Sequence, residues 1–152
     1  MIVLNSPKEL QPLVGQEVAV SDWLPIPQTM IDAFADVTGD RQWIHCDASR
    51  AKSESPYGVT VAHGFLTLAL LSRLHSESLT IKAGRARTIN YGLNRVRFPS
   101  PVPAGARIRA RFTLQSFEEV TGGCQVVWLV TVEVESQPKP ALVAEWVLRF
   151  YS

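Results

Sequence analysis

An aspartate and a histidine lie five residues apart in the segment Thr38-Gly39-Asp40-Arg41-Gln42-Trp43-Ile44-His45. A carboxylate and an imidazole that converge can hold one water molecule and move its proton. Downstream, the segment Ala62-His63-Gly64 opens a long apolar run. Backbone N–H groups at the start of a helix can stabilise an oxygen on which negative charge develops. Together, the two segments predict hydration chemistry.

Each of these residues also has a purely structural interpretation. Asp40 directly follows Gly39, and aspartate is common in turns because its side chain bonds to nearby backbone N–H groups. A solitary histidine between Ile44 and Cys46 is typical of a satisfied structural group. Gly64 can be a close-packing position where a helix meets a sheet. On spacing alone, these structural interpretations are favoured.

The segment His45-Cys46-Asp47 also suggests a metal site. Zinc sites use ligands in spaced pairs such as C-x-x-C or H-x-x-x-H, and the sequence has no second pair of this kind. We therefore expect no bound metal. The sequence also contains neither a Rossmann glycine fingerprint nor a P-loop, so it implies neither a nucleotide cofactor nor ATP.

The hydrophobic pattern indicates which elements must position the candidate residues. Apolar and polar residues alternate within Gly15 to Trp23, as in a short strand. A helix is predicted from Thr29, because Thr29 and Asp32 have the spacing of a capping box. Gly39 is the expected end of that helix. Asp40 therefore lies just beyond a helix terminus.

The next segment, Asp40 to Tyr57, is expected to be irregular, with a short helical turn near Ala48 to Lys52. A buried helix is predicted from Val61 to about Leu74. Its apolar run is shorter than the roughly 20 residues that span a bilayer, so we expect no membrane insertion. His75, near the end of this helix, is expected to be exposed.

From about Arg87 onward the hydrophobic period changes to two, which predicts strands. The segments Arg107 to Phe112 and Gln125 to Glu135 alternate in this way, and Thr121-Gly122-Gly123 between them has the composition of a hairpin turn. A last strand is predicted from Ala141 to Tyr151. The fold class is therefore α+β, with an antiparallel sheet wrapped around the apolar helix.

Such an apolar helix must be covered almost all round. One curved sheet and a second copy of the chain would do this, and we predict a homodimer.

The composition is typical of one globular domain, and we predict a single domain over residues 1–152. Hydrophobic residues make up 46% and charged residues 19%, while the net charge of +1 argues against binding of nucleic acid. Two cysteines are too few for a disulfide framework, and Met1 to Leu10 lacks a secretory signal pattern. We expect a cytoplasmic protein.

The chain resembles the MaoC-like dehydratases, a family that includes R-specific enoyl-CoA hydratases with the hotdog fold, and it is most similar to members like nodulation protein N. In the first matching segment, Gln42-Trp43 stands where many relatives have Asn-Pro, whereas Asp40 and His45 match the family. The resemblance covers most of the chain and is carried by three segments, namely Gly39 to His45, Tyr57 to Gly64, and Tyr91 to Phe98 running into Pro101-Val102.

The resemblance implies reversible addition of water to a trans-2-enoyl thioester, which gives an R-3-hydroxyacyl thioester. The thioester would be carried on coenzyme A or acyl carrier protein, with no further cofactor. Attack of water pushes charge onto the thioester oxygen, where the backbone N–H of Gly64 can stabilise it. Asp40 is expected to act as the base and His45 to orient the water. The sequence also allows the reverse assignment, or one group in both roles.

Four further residues have expected supporting roles. Ser72, eight residues after Gly64, matches a family position whose hydroxyl supports the site, although a small helix residue is the structural alternative. His63 is expected to cap and position the start of the helix. Trp43 and Phe65 could line an acyl tunnel, or could equally pack in a core.

Several arginines could meet coenzyme A phosphates or an acidic carrier protein. For most of them we prefer a solvated sheet face, partly paired with Glu133 and Glu135 across neighbouring strands. The arginines concerned are Arg95, Arg97, Arg107, Arg109 and Arg111.

Two other functions use the same fold. A thioesterase would direct water at the thioester carbonyl, and a non-catalytic subunit would bind acyl thioesters without turnover. The pairing of Asp40 and His45 beside Gly64 favours the hydratase over both.

Overall fold

A computed structural model describes residues 1–82 and 87–151 of the chain. A 3-10 helix over Pro7–Leu13 follows the first strand. The helices of the described residues are α1 (Gln28–Thr38), α2 (Trp43–Cys46), α3 (Ala48–Glu54), α4 (Gly64–Ala69) and α5 (Leu71–Ser78). The strands are β1 (Ile2–Leu4), β2 (Glu17–Val20), β3 (Leu24–Pro25), β4 (Leu79–Ile81), β5 (Arg87–Arg97), β6 (Arg107–Val120), β7 (Gly123–Val134) and β8 (Leu142–Tyr151).

One antiparallel sheet forms most of the structure. Its strand order is β2-β6-β7-β8-β5, and β3 pairs with β6 beside β2. The predicted hairpin turn is confirmed, because Val120 pairs with Gly123 across the end of β6 and β7. The sequence did not predict the separate parallel pair of β1 and β4. These strands have only three residues each, too few to show a period.

The predicted apolar helix packs on one face of the sheet, as two consecutive segments. It begins at Gly64 rather than Val61 and is interrupted at Leu70. Leu66, Leu71 and Leu74 are buried and belong to the core cluster. Their partners on the sheet include the fully buried side chains of Ile108, Phe112, Leu114, Trp128 and Val130. The core therefore lies between this helix pair and one face of the sheet.

The outer face of β6 and β7 is charged, as the alternation predicted. Arg107 pairs with Glu135, Arg109 pairs with Glu133, and Arg111 pairs with Glu17. The structural interpretation of these three arginines is thus confirmed. Since the pairs are at least partly exposed, each contributes little to stability.

The start of α1 differs from the predicted capping box. The helix begins at Gln28 after Pro27, and the cap residue makes no side-chain hydrogen bond. Thr29 consequently lies inside the first turn, where it cannot act as the cap. Asp32 instead accepts a hydrogen bond from the Gln28 side chain at 2.8 Å. The predicted end of the helix is confirmed, because Gly39 adopts a left-handed conformation with φ of 78°.

His75 is buried, so the expectation of an exposed histidine was wrong. Its ring lies edge-on to the rings of Phe112, Trp128 and Trp146, at centroid distances of 5.2 to 5.6 Å. The position follows from the orientation of α5, whose Leu71, Leu74 and His75 share the inward side. Burial lowers the pKa of His75 to about 4, so the imidazole stays neutral at physiological pH.

We predict that His75 makes the fold sensitive to acid. The unfolded chain takes up a proton on this residue near pH 6.5, whereas the folded chain does so only near pH 4. Stability attributable to the neutral imidazole is thus complete above the unfolded pKa and falls between these two values. The loss reaches about 3 kcal/mol, at about 1.4 kcal/mol per pH unit.

Urea unfolding of the wild type and His75→Phe, at about pH 7 and about pH 4, measures this effect. The substitution keeps an aromatic ring in the cluster but removes the titrating group. The wild type should lose more stability on acidification than the variant does. Equal losses in the two proteins would show that His75 does not titrate as described.

Candidate active site

Asp40 and His45 follow the end of α1 within a compact segment. Gly39 reverses the chain, and its N–H donates to the carbonyl of Ala35 at 2.9 Å. The expectation of irregular chain was partly wrong here, because Trp43–Cys46 form the short helix α2. His45 therefore projects from a helical turn, and it is buried, whereas Asp40 is exposed.

The helix α2 is bonded directly to the chain that leads into α4. The N–H of Val61 donates to the carbonyl of Ile44 at 3.0 Å. In return, Nδ1 of His45 lies 2.6 Å from the carbonyl oxygen of Val61. A carbonyl only accepts hydrogen bonds, so Nδ1 carries the proton in this contact. In the neutral ring, the lone pair is then on Nε2, which can accept a proton from water.

The chain that leads into α4, residues 60–62, is also hydrogen-bonded to residues 102–104. The N–H of Ala62 donates to the carbonyl of Val102 at 2.8 Å, and the N–H of Ala104 donates to the carbonyl of Thr60 at 2.9 Å. The first of these bonds joins the second and third of the segments that carry the family resemblance. The start of α4 is therefore fixed between α2 and the chain around Val102.

His63 contacts both Asp40 and His45, which are called the dyad below. Its Nε2 donates to the backbone carbonyl of Asp40 at 2.9 Å. Its ring is stacked on that of His45, with centroids 3.8 Å apart and planes at 22°. His63 is the N-cap residue of α4, as predicted, but its side chain makes no capping bond. It holds the Asp40 loop instead.

The three side chains form one cluster. Asp40, His45 and His63 each have a potential ligand atom, and these atoms lie within 4.8 Å of one another. Sequence spacing could not reveal this group, because His63 lies 18 residues after His45. The cluster offers a carboxylate and an unprotonated imidazole nitrogen beside each other, which is what acid–base chemistry on one water requires.

The donor set would also suit a divalent metal ion, but the ring orientation fits poorly. Metal-binding nitrogens direct their in-plane lone pairs at one point. The rings of His45 and His63 are stacked and nearly parallel. The in-plane lone pairs of the two rings therefore do not point at a common position where one ion could bind. Two rings in this orientation are poorly placed to share one ion.

Gly64 is the first residue of α4, so its N–H has no partner within the helix. A Cβ atom at this position would lie 3.1 Å from ring carbons of Phe98. Gly64 and Phe98 border a cleft of about 260 Å³. The remaining lining residues of this cleft are Tyr57, Ala62, Thr67, Pro99, Ser100, Pro101, Val102 and Ala141. Glycine thus allows the ring of Phe98 to pack closely against the start of α4.

Ser72 is not brought to this cluster. It is exposed on α5, where it borders a separate cavity of about 420 Å³ together with His75 and Asn90. None of Asp40, His45, His63 and Gly64 borders that cavity.

Trp43 and Phe65 do not border the cleft beside Gly64 either. The guanidinium of Arg50 lies 4.3 Å above the ring of Trp43. Phe65 is 69% exposed and meets Phe98 edge-on, with centroids 6.1 Å apart. Within one chain, the structure therefore gives neither residue a place in an enclosed acyl tunnel.

Residues 9–137 match the family model described as the MaoC like domain. The chain belongs to the MaoC-like family. It is 48% identical to 3-hydroxyacyl-thioester dehydratase Z of Mycobacterium tuberculosis, over 99% of each chain. It is 46% identical to nodulation protein N of Rhizobium leguminosarum, over 88% of this chain and 84% of that protein. The predicted resemblance is confirmed, and with it the enzyme class, a hydratase or dehydratase of the hydro-lyases.

Solved structures support the same fold. The R-hydratase PhaJ1 of Pseudomonas aeruginosa superposes with a TM-score of 0.67 and 24% identity, over 89% of this chain and 79% of that one. The hotdog fold predicted for this MaoC-like chain is thereby confirmed. Within the described residues, no helix combines the length and the apolar character needed to cross a membrane.

We predict that Gly64→Ala lowers hydratase turnover by about tenfold to a hundredfold, since displacements near 1 Å can have effects of this size. The added Cβ pushes against the ring of Phe98 and narrows the cleft. Steady-state rates of both proteins measure the loss.

The double variant Gly64→Ala with Phe98→Leu tests the steric cause, because leucine is smaller than the ring it replaces. We expect it to recover part of the lost rate. Full activity of Gly64→Ala alone would contradict the proposed need for glycine.

Proposed function

We propose that this MaoC-like protein catalyses the reversible addition of water to a trans-2-enoyl thioester, giving an R-3-hydroxyacyl thioester. The observation that carries the proposal is the contact of Asp40 and His45 with the chain that opens α4. The mycobacterial relative named 3-hydroxyacyl-thioester dehydratase Z supports the substrate class.

The oxygen of the thioester is proposed to accept a hydrogen bond from the N–H of Gly64. Attack of water at C3 moves the electrons of the double bond toward the thioester carbonyl, so an enolate develops there. A donor that is already in place stabilises this charge without reorganisation. One such donor contributes about 3 kcal/mol to the transition state.

The water is proposed to lie between Asp40 and His45. Nε2 of His45 accepts a hydrogen bond from one O–H of this water, and the carboxylate of Asp40 accepts a hydrogen bond from the other O–H. As the water oxygen bonds to C3, Asp40 takes the proton, and the same proton then passes to C2. The reaction is balanced, since one hydroxyl and one proton are added and the dyad returns to its starting state. His63 positions the loop by holding the carbonyl of Asp40.

We propose coenzyme A or acyl carrier protein as the carrier of the thioester, with no other cofactor, and a cytoplasmic location. Arg95 and Arg97 border an open cleft of about 350 Å³. Within residues 1–82 and 87–151, neither has a carboxylate at ion-pair distance. They are therefore better candidates for phosphate contacts than the paired arginines of β6.

We also propose that the protein is a homodimer, joined along β5. This strand of 11 residues ends the strand order of the main sheet and is exposed along most of its length. Ile89, Tyr91 and Leu93 are exposed on it, and Phe65 is exposed on α4. A long apolar edge strand favours pairing with another chain, and a second copy would also cover Phe65.

Hydration of crotonyl-CoA and longer enoyl-CoAs tests the proposed reaction. Loss of the enoyl absorbance should accompany formation of the R-3-hydroxyacyl product. Release of free thiol without hydration would indicate a thioesterase. Binding of enoyl-CoA without turnover would indicate a non-catalytic subunit, and an S product would contradict the stereochemistry.

The variants Asp40→Asn and His45→Gln test the site. Each should lower turnover by about a thousandfold, in line with the loss of an acid–base group. Circular dichroism must show that both variants remain folded. Near-normal turnover in the two folded variants would overturn the assignment of the dyad.

The dimer prediction can be tested by placing a charge on the edge strand. Leu93→Lys should shift the protein toward monomer in size-exclusion chromatography with light scattering, because a charged edge opposes strand pairing. Leu129→Lys is a matched control. Leu129 is similarly exposed but lies on β7, inside the sheet. A wild-type monomer, or equal effects of both variants, would refute pairing through β5.

A further inference from the structure

Gln28 and Thr60 form a bridge that connects three parts of the chain. The Gln28 amide nitrogen donates to the backbone carbonyl of His45 at 2.7 Å and to the carboxylate of Asp32 at 2.8 Å. The amide oxygen of Gln28 accepts a hydrogen bond from the hydroxyl of Thr60 at 2.5 Å. Both amide hydrogens are thereby used, and the bridge passes from α1 through Gln28 to both α2 and Thr60.

The bridge adds a third connection between the same two segments. Val61, the neighbour of Thr60, already donates its N–H to Ile44 and accepts from Nδ1 of His45. Through Gln28, the carbonyl of His45 is also linked to Thr60. The ring of His45 is thus held by Val61, and its backbone carbonyl is held by Gln28, which is in turn bonded to Thr60.

The hydrogen bonds of this bridge are buried, so the loss of one of them affects the structure around it. Thr60 is 3% exposed and His45 is 8% exposed, so little water can replace a lost partner. A buried hydrogen-bonding group without a partner is unfavourable in free energy. Removal of the Thr60 hydroxyl or the Gln28 amide therefore favours a shift of α2 relative to Thr60.

We propose that Gln28 and Thr60 are positioning residues for the reaction, which fix the imidazole of His45 relative to the N–H of Gly64. This inference rests on the proposed hydratase function. Neither residue contacts the reacting atoms in this scheme. They set the separation between the attacking water and the N–H donor. The water must reach C3 of the substrate while the donor contacts the thioester oxygen of the same molecule.

Thr60→Val and Thr60→Ser form the central experiment. Valine has nearly the shape of threonine but no hydroxyl, whereas serine keeps the hydroxyl. Misplacement of a reacting group by about 1 Å can lower a rate by about a hundredfold. We expect Thr60→Val to lower kcat by about tenfold to a hundredfold with crotonyl-CoA and to leave KM within about threefold. Thr60→Ser should retain most of the wild-type kcat.

Gln28→Met tests the other half of the bridge with a side chain of similar length and no amide. It should lower kcat as Thr60→Val does. Gln16→Met is the matched control, because the Gln16 amide also donates to a backbone carbonyl, that of Pro12, but lies outside this network. Gln16→Met should keep wild-type kinetics.

Each rate is divided by the concentration of folded protein. The folded fraction is measured by near-ultraviolet circular dichroism at the assay temperature. A positioning role also predicts that the pH profile of kcat is displaced in Thr60→Val and Gln28→Met but not in Thr60→Ser. Loss of stability alone would lower the folded fraction and leave that profile unchanged.

The outcomes separate this inference from the proposed function. If the wild type does not hydrate enoyl-CoA, the proposed function fails. If the wild type is active and both Thr60→Val and Gln28→Met, corrected for folded fraction, keep the wild-type kcat and pH profile, the positioning role fails while the function stands. Equal loss in Thr60→Ser and Thr60→Val would also overturn it.

Discussion

The hydrogen bond from Nδ1 of His45 to the carbonyl of Val61 is the contact on which the site depends. It fixes the tautomer of the imidazole, since a carbonyl can only accept, and so leaves the Nε2 lone pair for water. It also binds α2 to the chain that opens α4. The proposed donor at the thioester oxygen and the proposed water-holding group therefore lie on segments that this bond joins, together with the Val61–Ile44 bond and the bridge through Gln28 and Thr60.

The fold makes this contact possible by supporting both of its ends. The sheet and the paired helices α4 and α5 share one core, which fixes the direction of the chain before Gly64. The turn at Gly39 brings Asp40 back toward the same place, where His63 holds its carbonyl. The loop is thus attached through the backbone carbonyl of Asp40 and through Nδ1 of His45, which leaves the carboxylate of Asp40 and Nε2 of His45 for the proposed reaction.

Much of the fold could be predicted, because period and turn chemistry are local signals. The strands β6 to β8, the Gly122 turn and the helix end at Gly39 all follow from such patterns. The stacking of His63 on His45 and the bridge through Gln28 and Thr60 could not be predicted from spacing, since they join residues 17 to 32 positions apart. The burial of His75 depends on how α5 is rotated against the sheet, which a single polar residue does not reveal. The resemblance indicated Asp40 and His45 as the proposed dyad, and the structure shows the contacts that hold the two residues.

A double-mutant cycle on Asp40 and His45 tests the central claim most directly, because the two residues are proposed to act on one water as a unit. Groups that act together give strongly non-additive losses. Crotonyl-CoA hydration by wild type, Asp40→Asn, His45→Gln and the double variant should show the double variant within about threefold of the slower single variant. Losses that multiply, so that each residue contributes independently of the other, would contradict the account.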